Sequence, residues 1–146
     1  MIHFITDRTQ ADVDRVQLLS AKGFANMTAE ERAEWLAGMR GAYNSTDLNR
    51  VESAVQYLAE ILNVSVTTKT NWAVTDIPST ADMERYLENI RKLRAKNKIL
   101  ATTPETPSSM TRLTYSTANN IEKILADIES FTSMWGRSGE VFCGEV

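Results

Sequence analysis

The sequence has few of the residues that make cross-links and metal centres. Its 146 residues include one cysteine, Cys143, and one histidine, His3. A single cysteine excludes a disulfide within the chain. One cysteine and one histidine are too few ligands for a Cys/His zinc site built from one chain. Hydrophobic residues make up 42% and charged residues 24% of the chain, which excludes collagen-like, mucin-like and wholly disordered proteins.

Long apolar runs and an excess of one charge are also missing. No run approaches the roughly 18–20 residues that span a bilayer, and residues 1–7 have neither a basic region nor an apolar stretch of signal-peptide length. We therefore expect no membrane association and no export by the chain itself. Sixteen basic against nineteen acidic residues give a net charge of −3, so the chain as a whole is not a binder of polyanions.

Catalytic fingerprints are absent as well. The phosphate-loop, dinucleotide and hydrolase-elbow patterns do not occur. His3 lies near the chain terminus, and Cys143 has Glu140 and Glu145 nearby and no adjacent cation, so neither is typical of a nucleophile–base pair. We predict no catalytic residue, no metal site and no cofactor, and hence a protein that is not an enzyme.

The length suits one domain over residues 1–146, and periodicity predicts that it is mainly α-helical. Apolar residues at steps of three and four, together with start signals such as Thr28 and Glu31, predict five helices. Their expected ranges are about 9–22, 28–38 or 28–41, 45–63, 80–98 and 117–135. The last three helices carry long apolar stripes and are expected to bury them on one another as a bundle.

Three segments are predicted to be extended. Residues 64–77 are rich in β-branched side chains with a period of two, which indicates a short extended or β segment. Residues 1–5 and 140–146 alternate in the same way and are expected to pair with each other or with another chain. Residues 101–109 contain Pro104 and Pro107 and are predicted to be a spacer loop.

Two helices share a pattern of residues. Asn49, Val51 and Glu52 of the third helix align with Asn119, Ile121 and Glu122 of the fifth, behind Thr46 and Ser116. A hydroxyl cap, a first-turn amide and an apolar stripe are features that well-capped helices reach independently. We interpret the pattern as helix capping.

Aromatic and basic residues outside the stripes are the candidates for an interaction surface. Trp72 lies in a polar extended stretch, where it either covers one end of the bundle or contacts a partner or a sugar ring. Basic residues end the fourth helix, where they either touch phosphates or an acidic partner, or complement the helix dipole. The candidate surface comprises Trp72, Tyr43, Arg91, Arg94, Lys98 and Phe142.

Several stretches resemble a known group of proteins. They are residues 6–13, 26–31 with Trp35, 43–52, 68–72, 76–79, 85–90 and 138–140. The chain resembles uncharacterised proteins of phages and prophages of Gram-positive, often gut-dwelling, bacteria, which are encoded among the virion structural genes of the tail or baseplate region. The resemblance covers nearly the whole chain and carries over no catalytic residue.

The resemblance implies a non-enzymatic structural or accessory protein that is associated with the tail and acts through protein–protein contacts. Its partners would be other virion proteins or further copies of itself, and nucleic acid is not expected. It would be made in the host bacterial cytoplasm and then enter the virion. The alternatives are a host-surface carbohydrate-binding module and a small helical protein that binds nucleic acid or has a regulatory role.

Overall fold

The computed structural model describes residues 2–97 and 100–145, with side chains described as far as Ser133. Five α-helices account for most of this part of the chain. They are α1 (Gln10–Lys22), α2 (Ala29–Leu36), α3 (Ser45–Leu62), α4 (Thr80–Lys96) and α5 (Tyr115–Glu145). A single 3-10 turn, Phe24–Asn26, joins α1 to α2. The expected mainly helical fold of five helices is therefore confirmed.

The first four helices begin at a reciprocal cap, in which a cap side chain and an acidic side chain three residues on bind each other's backbone N–H. The cap and acid pairs are Thr9 with Asp12, Thr28 with Glu31, Asn44 with Asp47, and Ser79 with Asp82. Such caps satisfy N–H groups that have no partner inside the helix. They explain why the predicted helix starts lie within one residue of the observed starts.

The main core lies between α3, α4 and α5. Each helix turns one apolar stripe inward, and the stripes meet around side chains with no exposed surface, including Val51, Ile90 and Leu125. Trp72, from the connection between α3 and α4, covers this core and is 6% exposed. The predicted packing of the last three helices is confirmed by these contacts.

A smaller satellite core holds α1 and α2. It consists of the buried side chains Leu19, Met27 and Met39, against which Val16 and Trp35 pack. Gly41 lies so close to the start of α1 that a Cβ atom there would come within 2.2 Å of the Asp12 carbonyl oxygen. The start of α1 is thus held directly against the chain that leads into α3.

One of the expected extended segments is not confirmed and another differs from the structure. No strand occurs within the described residues, and 64–77 instead form an irregular connection held by side chains of neighbouring helices. The expected extended arm at 140–146 is wrong as far as Glu145, because α5 continues to that residue. No proline interrupts residues 115–145, so the backbone hydrogen bonds of the helix continue through residues 140–145 although their side chains alternate as in a strand.

Candidate interaction site

A buried network of four charges joins the beginning of the chain to α3 and α5. Arg8 Nη2 lies 3.0 Å from Asp47 Oδ1 and 2.8 Å from Glu122 Oε1. Arg50 Nη2 lies 2.5 Å from Asp47 Oδ1 and 2.6 Å from Glu122 Oε1. The charges of the two cations and the two carboxylates cancel. This balance is important because Glu122 has no exposed surface, and leaving a buried charge unpaired destabilises the folded state by about 3–5 kcal/mol.

Hydrogen bonding within this network changes the pKa of Arg50. Burial alone would lower that pKa, since it disfavours the charged form. The hydrogen bonds to Glu122 and Asp47 outweigh burial, and the pKa of Arg50 is raised above its ordinary value. The guanidinium therefore remains charged, and the network is a fixed structural element.

Two tyrosines lie beside the network. The hydroxyl groups of Tyr43 and Tyr86 are hydrogen-bonded to each other, and the Arg8 guanidinium lies 5.6 Å from the centre of the Tyr43 ring. Burial raises the pKa of both phenols above the ordinary value of 10.0, because an ionised oxygen would lose its hydration. Tyr43, expected on an interaction surface, therefore has its hydroxyl inside the structure.

The N-terminal strap, residues 2–8, runs antiparallel to α5 and is held by side chains of that helix. The Ile5 N–H donates to Glu122 Oε2 at 2.7 Å, and the Ile2 N–H donates to Glu129 Oε1 at 3.1 Å. The Arg8 N–H donates to Asn119 Oδ1 at 3.0 Å, while Asn119 Nδ2 donates back to the Arg8 carbonyl at 2.9 Å. We call Asn119 and Glu122 the α5 clamp.

The inner strap, residues 66–72, is held by α3 through the same residue types. The Trp72 N–H donates to Asn49 Oδ1 at 2.7 Å, and Asn49 Nδ2 donates to the Trp72 carbonyl at 2.9 Å. The Lys69 N–H donates to Glu52, whose Oε1 also lies 2.8 Å from Arg85 Nη2. We call Asn49 and Glu52 the α3 clamp.

An apolar groove of about 830 Å³ opens beside the inner strap. Its walls are the connection from α2 to α3, the chain around residues 72–80, α4, and the loop before α5. Apolar side chains shared with the main core line it, namely Trp72, Leu48, Met83, Leu87, Met110 and Leu113. Serine and threonine side chains border it, namely Ser45, Thr46, Ser79, Thr80, Ser108, Ser109 and Thr111.

Large apolar side chains stand exposed at the groove. Leu36 and Val74, both in its lining, are 74% and 93% exposed. Ile77, which lies between the lining residues Asp76 and Pro78, is 91% exposed. Clusters of exposed apolar side chains rimmed by polar groups are typical of interaction surfaces.

Trp72 belongs to this groove but presents little free surface. The Lys69 ammonium lies 3.9 Å from the centre of its ring, and its indole N–H is buried without a hydrogen-bond partner among the described residues. Of the two interpretations of Trp72, cover for the bundle and contact with a partner, the structure supports the first.

Arg91 and Arg94, two candidates from the basic cluster, are engaged by the loop that precedes α5. Arg94 Nε donates to the Pro104 carbonyl at 2.9 Å, and Arg91 Nη2 donates to the Pro107 carbonyl at 3.1 Å. These arginines fix the spacer loop onto α4. Lys98 lies outside the described residues, and the side chain of Phe142 lies outside them as well.

Sequence reasoning missed the buried network. Arg8, Asp47 and Arg50 look like ordinary helix-end or surface residues in a linear sequence. The available signal was the pattern shared by α3 and α5, because Asn49, Glu52, Asn119 and Glu122 recur at one spacing. Capping does not explain these four residues, since they bind the straps.

No protein-family model, curated protein or solved structure matches the chain. Among the described residues, no helix is long and apolar enough to cross a bilayer. The same residues contain no group of three or more His, Cys, Asp or Glu side chains placed to hold a metal ion.

Proposed function

We propose that this chain is a non-enzymatic structural or accessory protein of a phage or prophage virion, associated with the tail, that acts through protein–protein contacts. The resemblance of its sequence motifs supports the virion part of the proposal. The apolar groove, with Leu36 and Val74 exposed in its lining, is the observation that carries the contact function. Burying a side chain of this kind contributes about 1.5–3 kcal/mol.

The chemistry of the groove favours an amphipathic helix of another virion protein. Its apolar lining suits residues at positions i, i+3 or i+4, and i+7 of such a helix. Of the charged lining residues, Arg91 is paired with Glu88 and Asp76 with Lys69. Glu84, in contrast, is exposed, so the partner helix should carry a lysine or arginine beside it.

The test titrates the purified chain with each tail and baseplate protein encoded beside it, using isothermal titration calorimetry. At least one of them should bind, and Val74→Glu or Leu36→Glu should weaken that binding at least tenfold, since each removes an exposed apolar side chain from the groove lining. The matched control is Leu18→Glu, because Leu18 is 59% exposed but lies outside the groove.

Three outcomes would overturn the proposal. They are no binding by any of these proteins, equal binding by the Val74→Glu variant, and equal weakening by the Leu18→Glu control. A fourth result, self-association of the purified chain that Val74→Glu abolishes, would replace the heterologous helix with a second copy as the occupant of the groove.

The alternatives have less support from the described residues. A carbohydrate-binding module needs an exposed aromatic face, whereas Trp72 is 6% exposed and is covered by Lys69. A nucleic-acid-binding role needs free cations, whereas Arg91 and Arg94 bind loop carbonyls. Salt-sensitive retention on DNA that is lost on changing Arg91, Arg94 and Lys98 to glutamate would reverse this preference.

A further inference from the structure

The α3 clamp and the α5 clamp are two examples of one binding arrangement. In each, an asparagine of the helix forms two hydrogen bonds with the backbone of one strap residue. The glutamate three residues after that asparagine in the helix accepts a hydrogen bond from a second strap residue, whose position in the strap is three residues before the first. Asn49 and Glu52 hold Trp72 and Lys69 in this way. Asn119 and Glu122 hold Arg8 and Ile5 with the same spacing and direction.

Both clamps contact backbone groups of the strap residues. The clamped stretches are Ile-Thr-Asp-Arg at residues 5–8 and Lys-Thr-Asn-Trp at residues 69–72. In both, the N–H of the next residue donates to an aspartate three positions on, Asp12 in the first and Asp76 in the second. The two straps therefore present the same pattern of backbone groups to their clamps, although the side chains differ.

Charge makes the α5 clamp selective. Asp47, Arg50 and Glu122 alone leave one excess negative charge in a buried place, and Arg8 supplies the cation that balances it. The occupant of the α5 clamp must therefore carry a cation three residues after the N–H that Glu122 accepts. The sequence of the N-terminal strap meets this requirement.

We propose that the α5 clamp is an exchangeable site for an extended peptide segment, and that its second occupant is the N-terminal strap of another copy of this chain. Every hydrogen bond and ion pair between strap and clamp is the same whichever copy supplies the strap. Exchange requires a changed course of the chain at Thr9, the extended residue that caps α1, and the Asp7–Arg40 ion pair would re-form with Arg40 of the other copy. This is an exchange of identical elements between protomers.

The proposal is tested with two complementary variants of the full chain. Arg8→Ala has a weakened strap and an intact clamp, whereas Asn119→Ala has an intact strap and a weakened clamp. Size-exclusion chromatography with light scattering should show each variant alone as a monomer. An equimolar mixture should contain a 1:1 complex of twice the 16.4 kDa chain mass.

The matched control mixes Arg8→Ala with the double variant Arg8→Ala/Asn119→Ala, which has no intact strap to donate. This mixture should remain monomeric. The proposal is overturned if the first mixture forms no complex, or if the control mixture forms one to the same extent.

Two further variants keep the test decisive. If Arg8→Ala does not fold, Ile5→Pro replaces it, because proline removes the N–H that Glu122 accepts and leaves the Arg8 cation in place. Adding Val74→Glu to both partners should leave the complex unchanged, since the groove is not involved. Loss of the complex on this addition would assign the association to the groove and overturn strap exchange.

Discussion

At the scale of single residues, the hydroxyl pair of Tyr43 and Tyr86 links ionisation to stability. Burial raises the pKa of both groups above 10.0, so the folded state favours their neutral forms. An acid whose pKa is raised by folding contributes stability that is complete below its unfolded pKa and is lost as the pH rises toward the folded pKa. The folded chain should therefore lose stability above about pH 10.

Tyr43→Phe should reduce this alkaline loss, because it removes one of the two buried phenols. The free energy of unfolding, measured in urea at pH 7, 10 and 11, should fall less steeply for Tyr43→Phe than for the unchanged chain. Tyr57→Phe is the control, since Tyr57 is 50% exposed, and it should leave the slope unaltered. Equal slopes for all three proteins would contradict the prediction.

Residue roles were harder to predict from the sequence than residue positions. Trp72 was correctly placed outside the helix stripes, yet its cover by Lys69 depends on a contact that period and composition do not encode. Arg8 and Glu122 are 114 positions apart, so nothing local marks them as partners. Contacts between residues that only the tertiary fold brings together are the least predictable from a single sequence.

At the scale of elements, the helix starts depend on ionised carboxylates. The N–H of Ser79 and the Ser79 hydroxyl lower the pKa of Asp82 below 3.8, and Lys22 with the Thr28 N–H lowers that of Glu31 below 4.5. A carboxyl group whose pKa is lowered by folding stabilises the fold above its unfolded pKa. This contribution is lost as the pH falls through the folded pKa.

Asp82→Asn should therefore lessen the acid sensitivity of the fold. Between pH 7 and pH 3 the melting temperature of the unchanged chain should fall, and that of Asp82→Asn should fall less from a lower starting value. Circular dichroism at 222 nm measures both. The control is Glu84→Gln, a substitution at an exposed position of the same helix, whose melting temperature should fall with pH as that of the unchanged chain does. An equal fall in the melting temperatures of Asp82→Asn and Glu84→Gln would refute a role for the cap.

Helices were the most predictable elements because their signals are local. The apolar stripe and the cap of α3 or α4 lie within one stretch of chain and reinforce each other. Residues 64–77 carry a β-like pattern but have no partner strand in the described structure, and polar side chains such as Asn49 and Glu52 hold them instead. α5 extends beyond the expected residue 135, to Glu145, because no proline interrupts it and each further residue adds one helical hydrogen bond.

At the scale of the whole molecule, the two cores should differ in stability. The main core between α3, α4 and α5 contains many fully buried side chains, whereas the satellite core around Leu19, Met27 and Met39 is small. Regions with few buried apolar contacts open more readily than the rest of a domain. Amide hydrogen exchange should therefore be faster in α1 and α2 than in the three bundle helices.

Substitutions in each core should separate local from global opening. Ile121→Ala should lower the global free energy of unfolding by about 2–5 kcal/mol, because Ile121 has no exposed surface in the main core. Met39→Ala should speed exchange in α1 and α2 and leave the slowest amides of α4 nearly unchanged. Hydrogen-exchange mass spectrometry measures both effects. If Met39→Ala accelerated amide exchange equally in all helices, the two cores would unfold as one cooperative unit and the prediction would be wrong.

The antiparallel straps also set an order of events in time. Contacts of the inner strap join residues 17 and 23 positions apart, whereas those of the N-terminal strap join residues 111, 117 and 127 positions apart. Distant contacts close more slowly, and during translation α5 is made long after residues 2–8. Residues 2–8, which are synthesised before α5, are thus among the last to dock, and Arg8 remains solvated until Glu122 has left the ribosome.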